Sequence, residues 1–398
     1  MTNHATIASS ADRREKTVAI VCNTLPPYRL HAHRRFASEL EGVRLLTINT
    51  HQDATRDWSV SLPESIGLVD VSDGDRGSAG QLREWRKGGR VIDTLERERA
   101  DAVVMNGYND AGRLRTIRWC RRHGVPCFLW GDSNINSAHR GGALTQAIKR
   151  LYVPKVVAWS AGCFACGRLG KEYWEHYGAD PSRVFISPYE PDYGQVWGLT
   201  DAEIDEARQR YGLAEGRRRI VYCGRLTEVK RVDLLIEAFV ALAAERPDWD
   251  LVILGDGELR SELAAAVPPE LKDRVVWTGF VAEQQDVSKI YRASDVLALP
   301  SRYEPWALVV NEAAAAGMAI VATDAVGAAA ELVRDGVNGR VIPRDNGEAL
   351  KDALLEVTAA ENTDRMKAAS AEVLDAWRRN GDPVEGLREA LRSVGIES

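Results

Sequence analysis

The stretch RIVYCGRLTEVKRVDLLIEAF, residues 219–239, carries three signals in order. RIVYCG is apolar at nearly every position and β-branched, which fits a strand covered on both faces. GRLTEVKR is polar and opens on glycine. VDLLIEAF, continuing through VALAAE to residue 245, has the spacing of an amphipathic helix. A buried strand, a tight turn and a helix form the unit of a doubly wound α/β sheet. The same unit recurs outward in both directions. Strands are expected at 251–255, 275–279, 296–300, 319–323 and 339–343 on one side. They are expected at 17–22, 43–48, 102–106, 126–131, 156–160 and 184–187 on the other. Helical patterns lie between them, SELAAAV (261–267) among them. PYEPDYGQVWGLT, residues 188–200, has two prolines, two glycines and no clear period, so it reads as the join between two domains. AEVLDAWRRN and DPVEGLREALRSV read as two closing helices.

Length and composition agree with this division. A chain of 398 residues that is 45% hydrophobic and 28% charged has material for two soluble cores. No apolar run reaches the roughly 18 to 20 residues a membrane span requires. The opening residues, MTNHATIASSADRREK, lack the apolar segment of a secretory signal, and residues 1–16 read as a disordered tail. Six cysteines fall mostly in apolar runs and read as buried free thiols. Cys163-Phe-Ala-Cys166 has no second pair to complete a zinc site. A reducing, cytoplasmic location follows as the expectation. Charge is uneven: residues 1–190 carry 27 Lys and Arg against 21 Asp and Glu, and the remainder 25 against 37. The basic half suits an anionic acceptor or an anionic membrane surface, or is simply a solvated Arg-rich surface. The run GRLRTIRWCRR (112–122) reads as a solvated helix face, and without an aromatic-lined basic groove no nucleic-acid partner is expected.

Ligands of open α/β sheets bind outside the carboxyl ends of the strands, so the loops there hold the candidates. Arg225 and Lys230 follow Gly224 and precede a helix, a setting for a diphosphate or merely a basic turn. Glu304 and Glu312 sit in YEPWALVVNEAAAAG (303–317), an almost wholly apolar stretch where carboxylates need compensation. Pro305 suits the first turn of a helix that ends at Gly317; if the stretch is near-helical, the two glutamates lie about 12 Å apart. Gly257, in the Gly-Asp-Gly turn after 251–255, either allows close approach to a ligand or only makes the turn. In the first half, Pro26-Pro27 stiffen the loop that carries Tyr28 and Arg29. Asp132 is either an acceptor-orienting carboxylate or a helix N-cap. His31 and His33, two apart, do not share a helix face and are rejected as a metal pair.

Arg225-x4-Lys230, LGDGELR (254–260), WTGFV (277–281) and ASDVLALPSRYEPWALVVNEA (293–313), with Glu304-x7-Glu312 inside it, together resemble the retaining glycosyltransferases of family 4. The likeness is specific over 219–345 and weaker through PPYR, LWGDS and GRLGKEYWEHYGADPSRVFISPY (167–189). The resemblance implies the GT-B fold: an acceptor domain over 17–192 and a donor domain over 193–375, facing across a cleft. It further implies closing helices over 376–398, the last crossing back to the first domain. Arg225 and Lys230 would bind the donor diphosphate, and Glu304 would hold the donor sugar with the backbone of Trp306, Ala307, Leu308 and Val309. Glu312 would bind the ribose, Val281 would meet the base, and Gly224 and Gly257 would line the donor site. Tyr28, Arg29 and Asp132 would face the acceptor. No metal or other cofactor is implied beyond the donor, a UDP- or GDP-sugar. The acceptor is a hydroxyl compound, with lipid-linked acceptors and a peripheral place at the inner membrane surface included. Rival readings on the same architecture are a sugar-nucleotide epimerase, a non-catalytic sugar-nucleotide binder and a transferase for small natural products. Three departures from the family pattern stand out: Pro-Pro-Tyr-Arg for a Gly-Gly loop, Asp132 near a usual histidine, and Ala307 for a usual glycine.

Overall fold

The structure is a computed structural model that describes residues 14–51, 66–72 and 80–398. Most of the tail expected at 1–16 lies outside the described residues. Thirteen strands are found among them. The first seven are β1 (Lys16–Cys22), β2 (Val43–Asn49), β3 (Ile66–Asp70), β4 (Ala102–Asn106), β5 (Cys127–Trp130), β6 (Gly162–Ala165) and β7 (Val184–Ile186). They are followed by β8 (Arg218–Cys223), β9 (Trp249–Leu254), β10 (Val275–Gly279), β11 (Val296–Leu299), β12 (Ala319–Thr323) and β13 (Gly339–Ile342). They form a seven-stranded sheet of order β3-β2-β1-β4-β5-β6-β7 and a six-stranded sheet of order β10-β9-β8-β11-β12-β13. The paired strands run parallel, Val18 beside Leu45 and Ala102 in the first sheet and Ile220 beside Leu251 and Val296 in the second. In each, the strand order reverses beside the first strand, at β1/β4 and at β8/β11. Two doubly wound parallel sheets are what the strand-turn-helix repeat predicts.

Two compact units result. One runs to Trp130 and includes Val153–Cys163 and Val384–Ser398; the other comprises Gly131–Tyr152 and Phe164–Pro383. In the first, Val18–Cys22, Leu45, Ile48 and Val103–Met105 are essentially inaccessible. The helices Gln81–Arg97 and Ala111–His123 meet where Gly88 faces Gly112; a Cβ on Gly88 would stand 2.6 Å from the Gly112 carbonyl oxygen. In the second, Ile220–Tyr222, Leu251–Ile253, Val296–Leu299 and Ala319–Ala322 make the core. Parallel strands covered on both faces need this unbroken apolar character.

Three expectations are corrected. VVAWS (156–160) is not a strand. Val153, Val156 and Val157 are buried on the helix Ala143–Val157, and their i, i+3, i+4 spacing is helical despite their β-branching; the strand is GCFA, one segment later. β3 was missed because Gly67 and the half-exposed Leu68 dilute its pattern. Nor is the 112–122 run wholly solvated: Arg113 is buried, donating from Nε to the Asn106 carbonyl at 2.8 Å and pairing with Asp110. The cysteines are all free, and all but Cys223 are buried.

Candidate functional site

Strand order places the second unit's switch point between β8 and β11, where the outgoing loops diverge to opposite faces. The loop after β8 carries Gly224, Arg225 and Lys230; the loop after β11 carries Ser301 to Ala307. The Arg302 amide donates to the Val229 carbonyl at 2.8 Å and joins the two loops. Across this join Lys230 Nζ pairs with Glu304 Oε1, and Ser301 Oγ donates to the same oxygen at 3.0 Å. Glu304 is 8% exposed. A carboxylate so enclosed needs this cation and hydroxyl to offset its lost hydration. Arg225 is exposed and makes no ion pair among the described residues. Its carbonyl accepts the Tyr222 hydroxyl at 3.0 Å, so the side chain stands outward from a fixed backbone.

The helix does not begin at Pro305. It spans Leu308–Ala315, and the groups that would have made an earlier turn are engaged sideways. The Glu304 amide donates to Ala325 O at 3.1 Å, Gly327 N to Glu304 O at 3.2 Å, and Ala328 N to Trp306 O at 2.8 Å. Asn134 Nδ2 donates to the carbonyls of Glu304 and Pro305 at 3.1 and 2.9 Å. The separation of about 12 Å drawn from a continuous helix therefore does not apply. Trp306 is buried, with its indole N–H on Tyr189 O at 3.0 Å. Ala307 follows at φ 81° and ψ 81°, the left-handed region that favours glycine. Leu308 and Val309 are half-buried and begin the helix without a side-chain cap, and helix starts left uncapped can bind anions.

Glu312 occupies the second turn of that helix and is buried. Gln284 Nε2 donates to its Oε1 at 2.9 Å, and the Tyr291 hydroxyl is buried with no hydrogen-bond partner among the described residues. No cation pairs with it among the described residues. Burial pushes its carboxyl up to about 7, against smaller opposing effects from Tyr291 and Gln284. The neighbouring Cys223 thiol is pushed up to about 12, first by burial and then by the Glu312 charge.

The glycines at these strand ends serve chain packing. A Cβ on Gly255 would strike the Gly224 backbone, and one on Gly257 would strike that of Leu226. Gly255 N donates to Gly279 O at 2.9 Å, drawing the loops after β9 and β10 together. Val281, half-buried, follows Phe280, which is 52% exposed. Arg225, Lys230, Glu304, Glu312 and the Trp306–Val309 turn thus all lie in the segments that follow the central strands β8 and β11 of one sheet.

Asp132 belongs to this unit, and it is exposed. It lines a small recess with Asn134, Gly167, Pro305, Trp306 and Gly327. It caps no helix; Asn134 stands at the N-cap of Ile135–Ala138. Tyr28 and Arg29 belong to the other unit, on the helix Pro27–Glu39. There Arg29 donates to Thr24 O and Asn106 Oδ1, both at 3.2 Å. His33 is buried against Thr47 Oγ1 at 2.9 Å, and burial holds its imidazole down to about 3, a neutral core histidine. Sequence reasoning missed Asn134, Ser301, Gln284 and Tyr291. Ser301 had a signal, as the first polar residue after LALP; the others had none short of the tertiary fold.

The two Rossmann-like parallel sheets match the GT-B architecture of solved neighbours. The solved Anabaena protein Alr3699/HepE, in complex with UDP and glucose, superposes at TM-score 0.69 over 95% of this chain and 98% of its own, at 16% identity. Residues 203–372 match the family model described as "Glycosyl transferases group 1". The chain is 33% identical over 186 residues to a lipopolysaccharide core biosynthesis mannosyltransferase, LpsB, of Rhizobium meliloti, covering 44% of this chain and 50% of that one. It is 32% identical over 206 residues to the alpha-D-kanosaminyltransferase of Streptomyces kanamyceticus, 50% of this chain and 51% of that one. The chain spans about half the length of these curated relatives.

Proposed function

We propose that the protein is a retaining glycosyltransferase of family 4 type. It moves a sugar from a nucleotide-diphosphate donor, a UDP- or GDP-sugar, to an acceptor hydroxyl without a metal ion. The observation that carries this reading is the Lys230–Glu304 pair at the β8/β11 switch point, with Glu312 buried in the adjoining helix. The similarity of residues 203–372 to group 1 glycosyl transferases supports it, since every donor-side residue lies within that range.

The chemistry follows from charge. Glycosyl transfer develops oxocarbenium character on the sugar as negative charge grows on the departing diphosphate. In this reading Arg225, Lys230 and the first amides of the helix Leu308–Ala315 meet that charge as preorganised donors. Each such donor contributes on the order of 10² to 10³ in rate. Glu304 orients the sugar hydroxyls, held in place by Lys230 and Ser301. Glu312 accepts the ribose hydroxyls. In this reading the acceptor attacks on the leaving-group face and the departing phosphate takes its proton, so no covalent nucleophile is assigned. Tyr28, Arg29 and Asp132 are proposed for the acceptor. Lipopolysaccharide-type chemistry in a relative and the basic first half support a lipid-linked acceptor handled at a membrane surface.

A thermal-shift panel of UDP, GDP, ADP, dTDP and CMP tests the donor site. A nucleotide at 100 times its Kd should stabilise the fold by about 2.7 kcal/mol. Silence from all five in folded protein would refute the reading of Lys230 and Glu312. With the responding sugar nucleotide, the anomeric configuration of the product by NMR tests retention, and product formed without acceptor would favour an epimerase.

A further inference from the structure

A surface feature outside the donor site points to a second kind of partner. On the helix Ala143–Val157, Leu144, Ile148 and Leu151 are 75%, 55% and 70% exposed. Their i, i+4, i+7 spacing stacks them on one face, with exposed Ala147 beside them and exposed Lys155 at the end of the row. One exposed leucine is ordinary, but a continuous ridge of large apolar side chains marks a contact surface.

Charge indicates what covers it. Between Asp132 and Glu172 the sequence contains no Asp or Glu and six Lys or Arg: Arg140, Lys149, Arg150, Lys155, Arg168 and Lys171. Arg150 and Lys155 are exposed beside the ridge. Lys149 Nζ donates to Ser137 O at 2.8 Å, and the Arg140 guanidinium lies over the Tyr303 ring at 4.1 Å, so these two cations are fixed near its base. An apolar ridge with a cationic rim complements an anionic bilayer. The leucines enter the acyl boundary while ammonium and guanidinium groups stay at phosphate level. A second copy of this chain would instead bring the same positive rim against itself. No described helix is long and apolar enough to cross a membrane, so such contact lies in the interface plane.

We infer that the Leu144–Ile148–Leu151 face docks the protein on an anionic phospholipid surface. The inference rests on the membrane-surface part of the proposed function and on nothing in the donor site. The test is co-sedimentation of the full chain, without donor, with sucrose-loaded vesicles of phosphatidylglycerol and phosphatidylcholine, and with phosphatidylcholine alone. Binding should require the anionic lipid and fall with salt. The triple variant L144S/I148S/L151S should lower the partition coefficient about tenfold or more, and R150Q/K155Q several-fold, with the melting temperature and nucleotide binding of the parent. Equal binding by parent and triple variant, or no binding by the parent, would overturn the inference. So would a parent dimer in sedimentation velocity that the triple variant abolishes. Nucleotide binding measured on the same samples keeps this outcome separate from the donor-site reading.

Discussion

The proton on Glu312 offers the sharpest test of the donor site. Burial raises this carboxyl to about 7 in the free protein, against an ordinary value of about 4.3. Ribose hydroxyls donating to Glu312 favour its charged form and should return the group toward its ordinary value. Nucleotide binding must then expel a proton at acidic pH, and affinity should rise with pH until about 7 and level off. At pH 5.5 roughly 3% of free Glu312 is ionised and at pH 7.5 roughly 75%, so affinity should improve about 25-fold, or about 2 kcal/mol, across that interval. The nucleotide's own phosphate titrates near 6, but E312Q shares that term, and only the difference between parent and variant belongs to Glu312. Titration calorimetry of UDP, or of whichever nucleotide responds, in two buffers of different ionisation enthalpy would read both affinity and proton release. Folding gives an independent check. The pKa is raised in the folded state, so its stabilising contribution is complete below the unfolded value and lost as pH rises through about 7. That slope amounts to about 4 kcal/mol, and E312Q should remove most of it. Identical pH slopes for parent and E312Q in binding would refute the assignment of Glu312 to the ribose.

Three further outcomes follow from the geometry. K230M strands the enclosed Glu304 carboxylate without its cation; it should cost about 2 kcal/mol in denaturant unfolding and 10² or more in kcat, and K230M/E304Q should recover much of the stability but none of the rate. A307G relieves a left-handed alanine and should raise stability by about 1 kcal/mol with donor affinity unchanged or improved; a loss of stability would show that the Ala307 methyl group makes contacts worth more than the strain. N134A removes both bonds to the Glu304 and Pro305 carbonyls. It should lower kcat more than it raises KM, with about 1–2 kcal/mol lost from the fold, and N134D, lacking the donor amide, should fail to rescue it.

Much of this was legible in the chain because parallel strands buried on both faces leave unbroken apolar runs, and RIVYC, LVIL and AIVAT form strands where their composition predicts. The failures have different causes, and at the turn before Leu308 long-range bonds override local preference. Pro305 suits a helix start, yet Ala325, Gly327, Ala328 and Asn134 claim the turn's backbone groups from 21 to 171 positions away. Val156 and Val157 favour strands, yet their spacing with Val153 buries them on a helix. Gly257 looked equally suited to a ligand and to a turn; the Leu226 backbone occupies the space a side chain would need. Asn134 could not be foreseen because nothing in GDSNINS announces a partner at residue 304.

The two glutamates that stand out in YEPWALVVNEAAAAG are held by opposite means, and this bears on what each can do. Glu304 has a cation and a hydroxyl on one oxygen and is fixed before any ligand arrives. It suits the site of chemistry, where a carboxylate must not move as charge develops nearby. Glu312 has the Gln284 amide but no cation among the described residues, and burial pushes its carboxyl up to about 7. It gains most from a ligand that brings hydroxyl donors, and it turns that gain into affinity. Loss of Glu312 should therefore appear in Kd and its pH dependence, and loss of Glu304 in kcat. If E304Q weakened nucleotide binding as much as E312Q while leaving kcat intact, the division of roles drawn from their partners would be wrong.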